Sequence, residues 1–287
     1  MTLDSGQVFH WGRAGDGFVG TIGRRHVYVE QRGGILHAKS AAGKLDRFNR
    51  SSLRALVATY FALDHPLAQI CASFPDDAAM NAAREFCRGL RIIRQPKWEC
   101  LATFICSSMK QVAHIRQISR KLRERFGQPR EIADQIVYTF PAAERIAASS
   151  ERELRACALG YRARNLLATA RLVANGNVDL EQMSILSDVD LRAKLCELPG
   201  VGAKVANCVM LFAYERRRAF PIDVWIERVL RQKYFPRARK LNAARLRLFA
   251  EKYFGEHGGY AQQYLFHHAR VIERRAPRGP RLSRRGG

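Results

Sequence analysis

The residues best suited to chemistry lie between Leu198 and Leu230, in the run LPGVGAKVANCVMLFAYERRRAFPIDVWIERVL. Lys204 and Asp223 are the pair to weigh first. Lys204 falls in the first turn of a helix that starts near Ala203, where the positive end of the helix dipole disfavours an ammonium. A lysine amine without its extra proton is a nucleophile. Asp223 follows Pro221 and Ile222 and precedes the apolar-periodic VWIERVL, which is an N-cap position and puts a carboxylate at a helix start. Taken singly, the lysine would be one more surface charge and the aspartate a plain cap. However, only ten of the 49 basic residues are lysines.

Two helices must position this pair. One ends at about Glu197, Pro199, Gly200 and Gly202 force a tight hairpin, and the next begins near Ala203. The helix–hairpin–helix spans about residues 188–215. Its turn exposes backbone amides at a helix start, a phosphate site that needs no side-chain charge, although an ordinary helix–helix turn uses the same glycines.

The whole chain has the charge to match a polyanion. Its 287 residues carry 49 Lys plus Arg against 26 Asp plus Glu, a formal balance of +23, which points to nucleic acid. With 47% apolar residues it can bury a substantial core and is no disordered basic tail. No membrane-span or signal-peptide pattern occurs, so an intracellular, DNA-associated protein is expected. Seven cysteines, odd in number and scattered among apolar residues, read as reduced buried thiols. No zinc or iron–sulfur spacing is present, and no cofactor is required.

Residues 1 to about 45 alternate in the strand manner through GQVFHW, GFVGTIG, RHVYVEQ and GILHA, with glycine turns between, and predict an antiparallel meander. From Ser51 the texture becomes helical almost to the end. From Gln111 to Phe126, Val112, Ile115, Ile118, Leu122 and Phe126 share one face, while Arg116, Arg120, Lys121 and Arg123 occupy the other, as a solvated surface or a phosphate-facing one. The last fourteen residues hold six Arg, two Pro, three Gly and no acid, and should be disordered. Without those arginines the chain keeps +17 of its +23.

The LPGVGxK hairpin followed by PxDV resembles the helix–hairpin–helix glycosylases of base-excision DNA repair, specifically the bifunctional members with a lysine nucleophile. SGQVFHW, RQPKWECLATFICSS (Arg94–Ser108), LGYRAR (Leu159–Arg164) and YAQQYLF (Tyr260–Phe266) are each similar to segments of the 8-oxoguanine DNA glycosylases. The resemblance runs from about Leu3 to Ile272. The α+β fold it implies, in keeping with the texture above, is an N-terminal antiparallel β-sheet domain with flanking helices over 1–92, a mostly α-helical two-lobed body over 93–273, and the tail over 274–287. The partner implied is double-stranded DNA containing an oxidised purine, bound by a monomer without a membrane.

The same resemblance implies roles. Lys204 attacks the anomeric carbon and forms a Schiff base that permits β-elimination, and Asp223 supports the developing charge. The flipped base is read by the Gly6 carbonyl, held at its Watson–Crick edge by Gln262, stacked on Phe266 and bordered by Cys208. Taken without the family, Gly6 is a turn glycine, Phe266 a core aromatic and Cys208 a small buried filler. Tyr161 and Arg162 fill the vacated stack and contact the orphaned cytosine. The hairpin amides at Gly200 and Gly202 hold phosphate. The carbonyls of Cys196, Leu198 and Val201 point at a structural monovalent or calcium-like cation, for which oxygen ligands suit a hard ion.

Three departures stand out. Met109 occupies the place of a cytosine-contacting asparagine, His114 that of a cytosine-contacting arginine, and Trp225 that of a phosphate-contacting histidine. A relaxed preference for the opposite base is expected. Two other readings compete. An endonuclease III-like enzyme for another oxidised base would share the lysine and aspartate but carry four clustered cysteines, and no Cys follows Cys208. A non-enzymatic helix–hairpin–helix DNA-binding protein would need neither Lys204 nor Asp223.

Overall fold

Four strands, β1 (Gly12–Ala14), β2 (Gly17–Ile22), β3 (Arg25–Arg32) and β4 (Ile35–Ser40), pair in sequence order as an antiparallel meander. The computed structural model describes residues 1–41, 50–238 and 240–275. The expected disordered tail lies, from residue 276 on, outside the described residues. Register follows side-chain alternation. Phe18 opposite Val29 and Gly20 opposite Val27 put one face, with Ile22, against Val57 and Tyr60 of α1 (Arg50–Tyr60).

The GQVFHW run is not a strand of this sheet. Gln7, fully buried, donates to the Arg91 carbonyl at 2.8 Å and accepts from the Ile93 amide at 2.7 Å, while Gln95 donates to the Gln7 carbonyl at 2.7 Å. These bonds replace a ladder. They also let consecutive residues face two different cores, Val8 that of the sheet and Phe9 that of the helical body.

A second hairpin, β5 (Pro129–Ile132) and β6 (Gln135–Tyr138), interrupts the helical stretch. It covers the other sheet face, where Val19 packs with Ile132, Tyr28 and Val137. Composition conceals it, because its turn residues Ala133 and Asp134 take φ of 48° and 57° without the glycine that normally marks such a turn.

The body is built from α2 (Leu67–Ala72), α3 (Ala78–Phe86), α4 (Lys97–Cys106), α5 (Val112–Phe126), α6 (Ala143–Ala147), α7 (Glu151–Leu154), α8 (Arg162–Ala174), α9 (Asp188–Cys196), α10 (Ala203–Ala213), α11 (Val224–Val229), α12 (Ala243–Phe254) and α13 (Gly258–Arg275). At its centre α4 and α10 pack together, buried from Glu99 to Cys106 and from Val205 to Phe212. Phe104 and Phe212 stack between them with centroids 5.5 Å apart. A helix apolar on every side belongs in the interior.

On α5, Ile115, Ile118, Leu122 and Phe126 are buried as their spacing predicts, but Arg123 departs from its basic face. It is 5% exposed, ion-paired with buried Glu99 of α4, and donates to Thr21 Oγ1 at 2.8 Å and the Tyr138 carbonyl at 3.0 Å. The arginine thus ties the sheet and the second hairpin to the body. Glu99→Ala would leave that guanidinium without its carboxylate and is expected to cost about 3 to 5 kcal/mol. Urea unfolding would show this as a lower midpoint at unchanged slope, and an unchanged midpoint would refute it.

Candidate active site

Lys204 is the second residue of α10, whose N-cap is Gly202. Its Nζ donates to Ser107 Oγ at 3.2 Å and lies 5.3 Å from the centre of the Phe104 ring. Because the Ser107 hydroxyl gives its own hydrogen to the Phe104 carbonyl at 2.7 Å, its oxygen faces the lysine as an acceptor. Ser107 and Phe104 both end α4, so the buried central pair of helices fixes the amine from two sides. Cys208, one turn along α10, is buried, and burial pushes its thiol up to about 11, leaving a neutral wall rather than a competing nucleophile.

Asp223 caps α11, accepting from the Ile226 amide at 2.9 Å. Burial raises its carboxyl above the usual range, while the Ile226 amide and the nearby Lys204 charge pull it back down. Lys204, Cys208 and Asp223 line one cleft of about 1070 Å³.

The opposite wall joins residues far apart in the chain. Gln262 and Phe266 stand one turn apart on α13 and face the cleft together with Gly6. Gly6 has φ of +93°, and a Cβ there would come within 3.0 Å of Phe266 Cε1 and 2.7 Å of Arg270 Nη1, so this close approach requires glycine. Gln262 is 4% exposed, and among the described residues its Oε1 has no hydrogen-bond partner. Facing the cleft, that acceptor is open to a donor from a bound molecule.

At the rim Met109 is 93% exposed with φ of 53°, and the Tyr161 hydroxyl lies 3.9 Å from its sulfur. Arg162 is buried. It donates from Nε and Nη2 to the Ser108 carbonyl, the former at 2.7 Å, and its guanidinium carbon lies 4.3 Å from the centre of the Tyr161 ring. In this state it braces the loop that carries Met109. Trp225 lines the cleft under Arg228, whereas His114 is exposed and stands outside the lining.

The hairpin below has Gly200 at φ of +83°, where a Cβ would meet Asn165 Cβ at 2.8 Å. The Val201 amide donates to the Leu198 carbonyl at 3.0 Å, and Thr169 Oγ1 donates to the Pro199 carbonyl at 3.0 Å. Cys196 is exposed, while Leu198 and Val201 are buried. Gly202 faces open space and reaches the cleft.

Sequence reasoning missed Ser107 and Phe104 as neighbours of Lys204. Ser107 meets Lys204 across 97 positions, and no local pattern signals that contact.

A glycine hairpin between two helices, with an amine at the start of its second helix and a carboxylate at the start of the next, both facing one cleft, defines a helix–hairpin–helix base-excision glycosylase. Family models match in two consecutive parts, the 8-oxoguanine DNA glycosylase N-terminal domain over residues 1–101 and the HhH-GPD superfamily of base-excision DNA repair proteins over 102–253. The chain belongs to the 8-oxoguanine DNA glycosylase family. It is 31% identical to the N-glycosylase/DNA lyase OGG1 of Arabidopsis thaliana, over 93% of this chain and 75% of that one. With the N-glycosylase/DNA lyase of Saccharomyces cerevisiae it shares 31% identity, over 76% and 67% respectively. Among solved structures it is similar to MBOgg1 in complex with a low-affinity DNA ligand, with 32% identity, a TM-score of 0.88 and coverage of 95% and 91%. The Clostridium acetobutylicum 8-oxoguanine glycosylase/lyase bound to DNA with cytosine opposite 8-oxoG gives 29% identity, a TM-score of 0.87 and coverage of 94% and 90%. An endonuclease III complex shares the fold at 17% identity and a TM-score of 0.50.

Proposed function

We propose that this chain is a bifunctional DNA glycosylase/AP lyase that excises 8-oxoguanine from duplex DNA, with Lys204 as nucleophile and Asp223 as the supporting carboxylate. One observation carries the reading. Lys204 and Asp223 face the same cleft as Gly6, Gln262 and Phe266, so reacting groups and base-reading groups share a single space. The Lys204 amine attacks C1′ as the glycosidic bond breaks, the bonding pair leaves with the base, and the departing base takes up a proton. The resulting aminal opens to an imine, and loss of a C2′ proton then breaks the C3′–O bond. Asp223, close to Lys204, stabilises positive charge on the sugar in the first step.

The lesion differs from guanine at N7, a donor in place of an acceptor, and the Gly6 carbonyl reads that difference. The unpartnered Gln262 Oε1 accepts from the Watson–Crick edge, and Phe266 and Cys208 sandwich the ring. Met109 and Tyr161 enter the gap in the duplex, where their exposure and mutual contact suit an apolar plug, and Gly200, Gly202 and Trp225 receive the phosphates. The enzyme acts as a monomer, since the cleft is complete within one chain, and works in association with DNA inside the cell. Among the described residues no helix is long and apolar enough to cross a membrane.

A hard monovalent or calcium-like cation at the hairpin would take the carbonyl oxygens of Cys196, Leu198 and Val201, of which the Leu198 oxygen also accepts from the Val201 amide. Helix α9 ends at Cys196, where the helix dipole is negative; the Glu197 amide caps the Ala193, Lys194 and Leu195 carbonyls. Any metal here would be structural and backbone-bound, because among the described residues no group of three His, Cys, Asp or Glu could hold one.

Borohydride trapping on an 8-oxoguanine duplex tests the central reading: a covalent adduct is expected, and a chain that neither cuts nor traps would refute it. Opposite-base preference is a separate matter. With methionine in place of a hydrogen-bonding side chain at 109 and His114 outside the cleft lining, cytosine reading loses contacts worth roughly 1 to 3 kcal/mol each. Excision rates with each of the four bases opposite the lesion should therefore lie within about a hundredfold of one another. A steeper preference for cytosine would contradict the assignment.

A further inference from the structure

Arg270 lies one turn beyond Phe266 on α13 and is 5% exposed. A buried guanidinium is costly unless its donors are used. Its Nη2 donates to the Asp4 carbonyl at 2.5 Å and lies 3.3 Å from His267 Nδ1. Its guanidinium carbon lies 5.4 Å from the centre of the Phe266 ring, and its Nη1 occupies the space that a Cβ on Gly6 would need, 2.7 Å away. One side chain therefore touches the turn that carries the Gly6 carbonyl and the ring on which the base stacks. Gln263 adds a second tie between the same segments, donating to the Ser5 carbonyl at 3.2 Å, and Arg116 holds Asp4 from α5 at 3.1 Å. Nothing in the sequence around Arg270 marks it for such a place.

We infer that Arg270 is the positioning residue for lesion recognition, setting the height of the Gly6 carbonyl over the Phe266 ring. The inference rests on the reading of the base pocket given above. Discrimination by one hydrogen bond demands that the acceptor stay within about 0.5 Å of its place. A carbonyl free to swing away weakens its bond to the N7 hydrogen of the lesion and escapes repulsion by the N7 lone pair of guanine, so both halves of the choice erode together. Arginine suits the task because its planar fork can serve the turn and still lie against an aromatic ring.

The test compares wild type, Arg270→Leu and Arg270→Lys in single-turnover excision of 8-oxoguanine and in borohydride trapping on an abasic-site duplex, which offers no base to read. Arg270→Leu should excise 8-oxoguanine at least about tenfold more slowly, given that an ångström of misplacement costs up to a hundredfold. Arg270→Lys, retaining a donor for Asp4, should fall between it and wild type. Abasic-site trapping should change by no more than about twofold in either variant, because the Lys204 side of the cleft does not depend on Arg270. Excision by Arg270→Leu at the wild-type rate would overturn the inference, as would equal losses on both substrates, which would mark a general structural role. A wild type that traps abasic DNA but leaves 8-oxoguanine uncut would refute the substrate reading itself, and this inference with it.

Discussion

Lys204→Gln is expected to abolish borohydride-trapped adducts and to slow excision by at least about a thousandfold, because no other amine replaces the covalent step. Glutamine keeps most of the side-chain length and can still donate to Ser107 Oγ, which accepts the lysine at 3.2 Å. The central packing of α10 against α4 depends on residues from Val205 onward, so the variant should fold and bind DNA. Loss of chemistry with retained binding is the informative pattern. Trapping that persists in the variant would transfer the nucleophile to another residue, and Lys110, which also lines the cleft, would be examined next.

Asp223→Asn should slow base excision by roughly a hundredfold to ten-thousandfold while leaving DNA affinity near that of wild type. Asparagine caps helices as well as aspartate, so the bond to the Ile226 amide can survive. The stability prediction has a definite sign. Burial raises the folded carboxyl above its ordinary value of 3.8, so Asp223 contributes relative stability below that value, and the contribution is lost as pH rises through the folded pKa. At neutral pH the protein carries a desolvated charge, and Asp223→Asn should be at least as stable as wild type there, with any advantage vanishing in acid. Thermal melts at pH 7 and near pH 4, paired with single-turnover rates, would show activity and stability moving in opposite directions. A variant that melts lower at pH 7 would contradict the account.

The placement of the proposed catalytic pair was legible because its signals are local. Glycines at the hairpin, a lysine two residues past the N-cap Gly202 and an aspartate at an N-cap are each read within one helical turn. The residues proposed to read the base could be singled out only through resemblance. Nothing in Gly6 or Phe266 taken singly distinguishes a base pocket from a turn and a core aromatic, since their meeting depends on the whole fold. Arg123 shows the limit of periodicity. Charge pattern placed it on the outer face of α5, but a carboxylate on a neighbouring helix gave it a buried partner. The β5–β6 hairpin shows the limit of turn chemistry, since Ala133 and Asp134 adopt positive φ without a glycine.

The closure of the Gly6 turn against α13 bears on how the enzyme is made. The Arg270–Asp4 and Gln263–Ser5 bonds join residues 266 and 258 positions apart, whereas the hairpin, Lys204 and Asp223 lie within about 25 residues of one another. During synthesis on the ribosome the helices bearing Lys204 and Asp223 can pair early, but the wall formed with Gly6 must wait until α13 emerges. A chain that stops short of Gln262 would carry the proposed nucleophile without the wall proposed to choose its target. Placing the proposed reader across a sequence separation of 266 positions would make discrimination one of the last properties the nascent protein acquires.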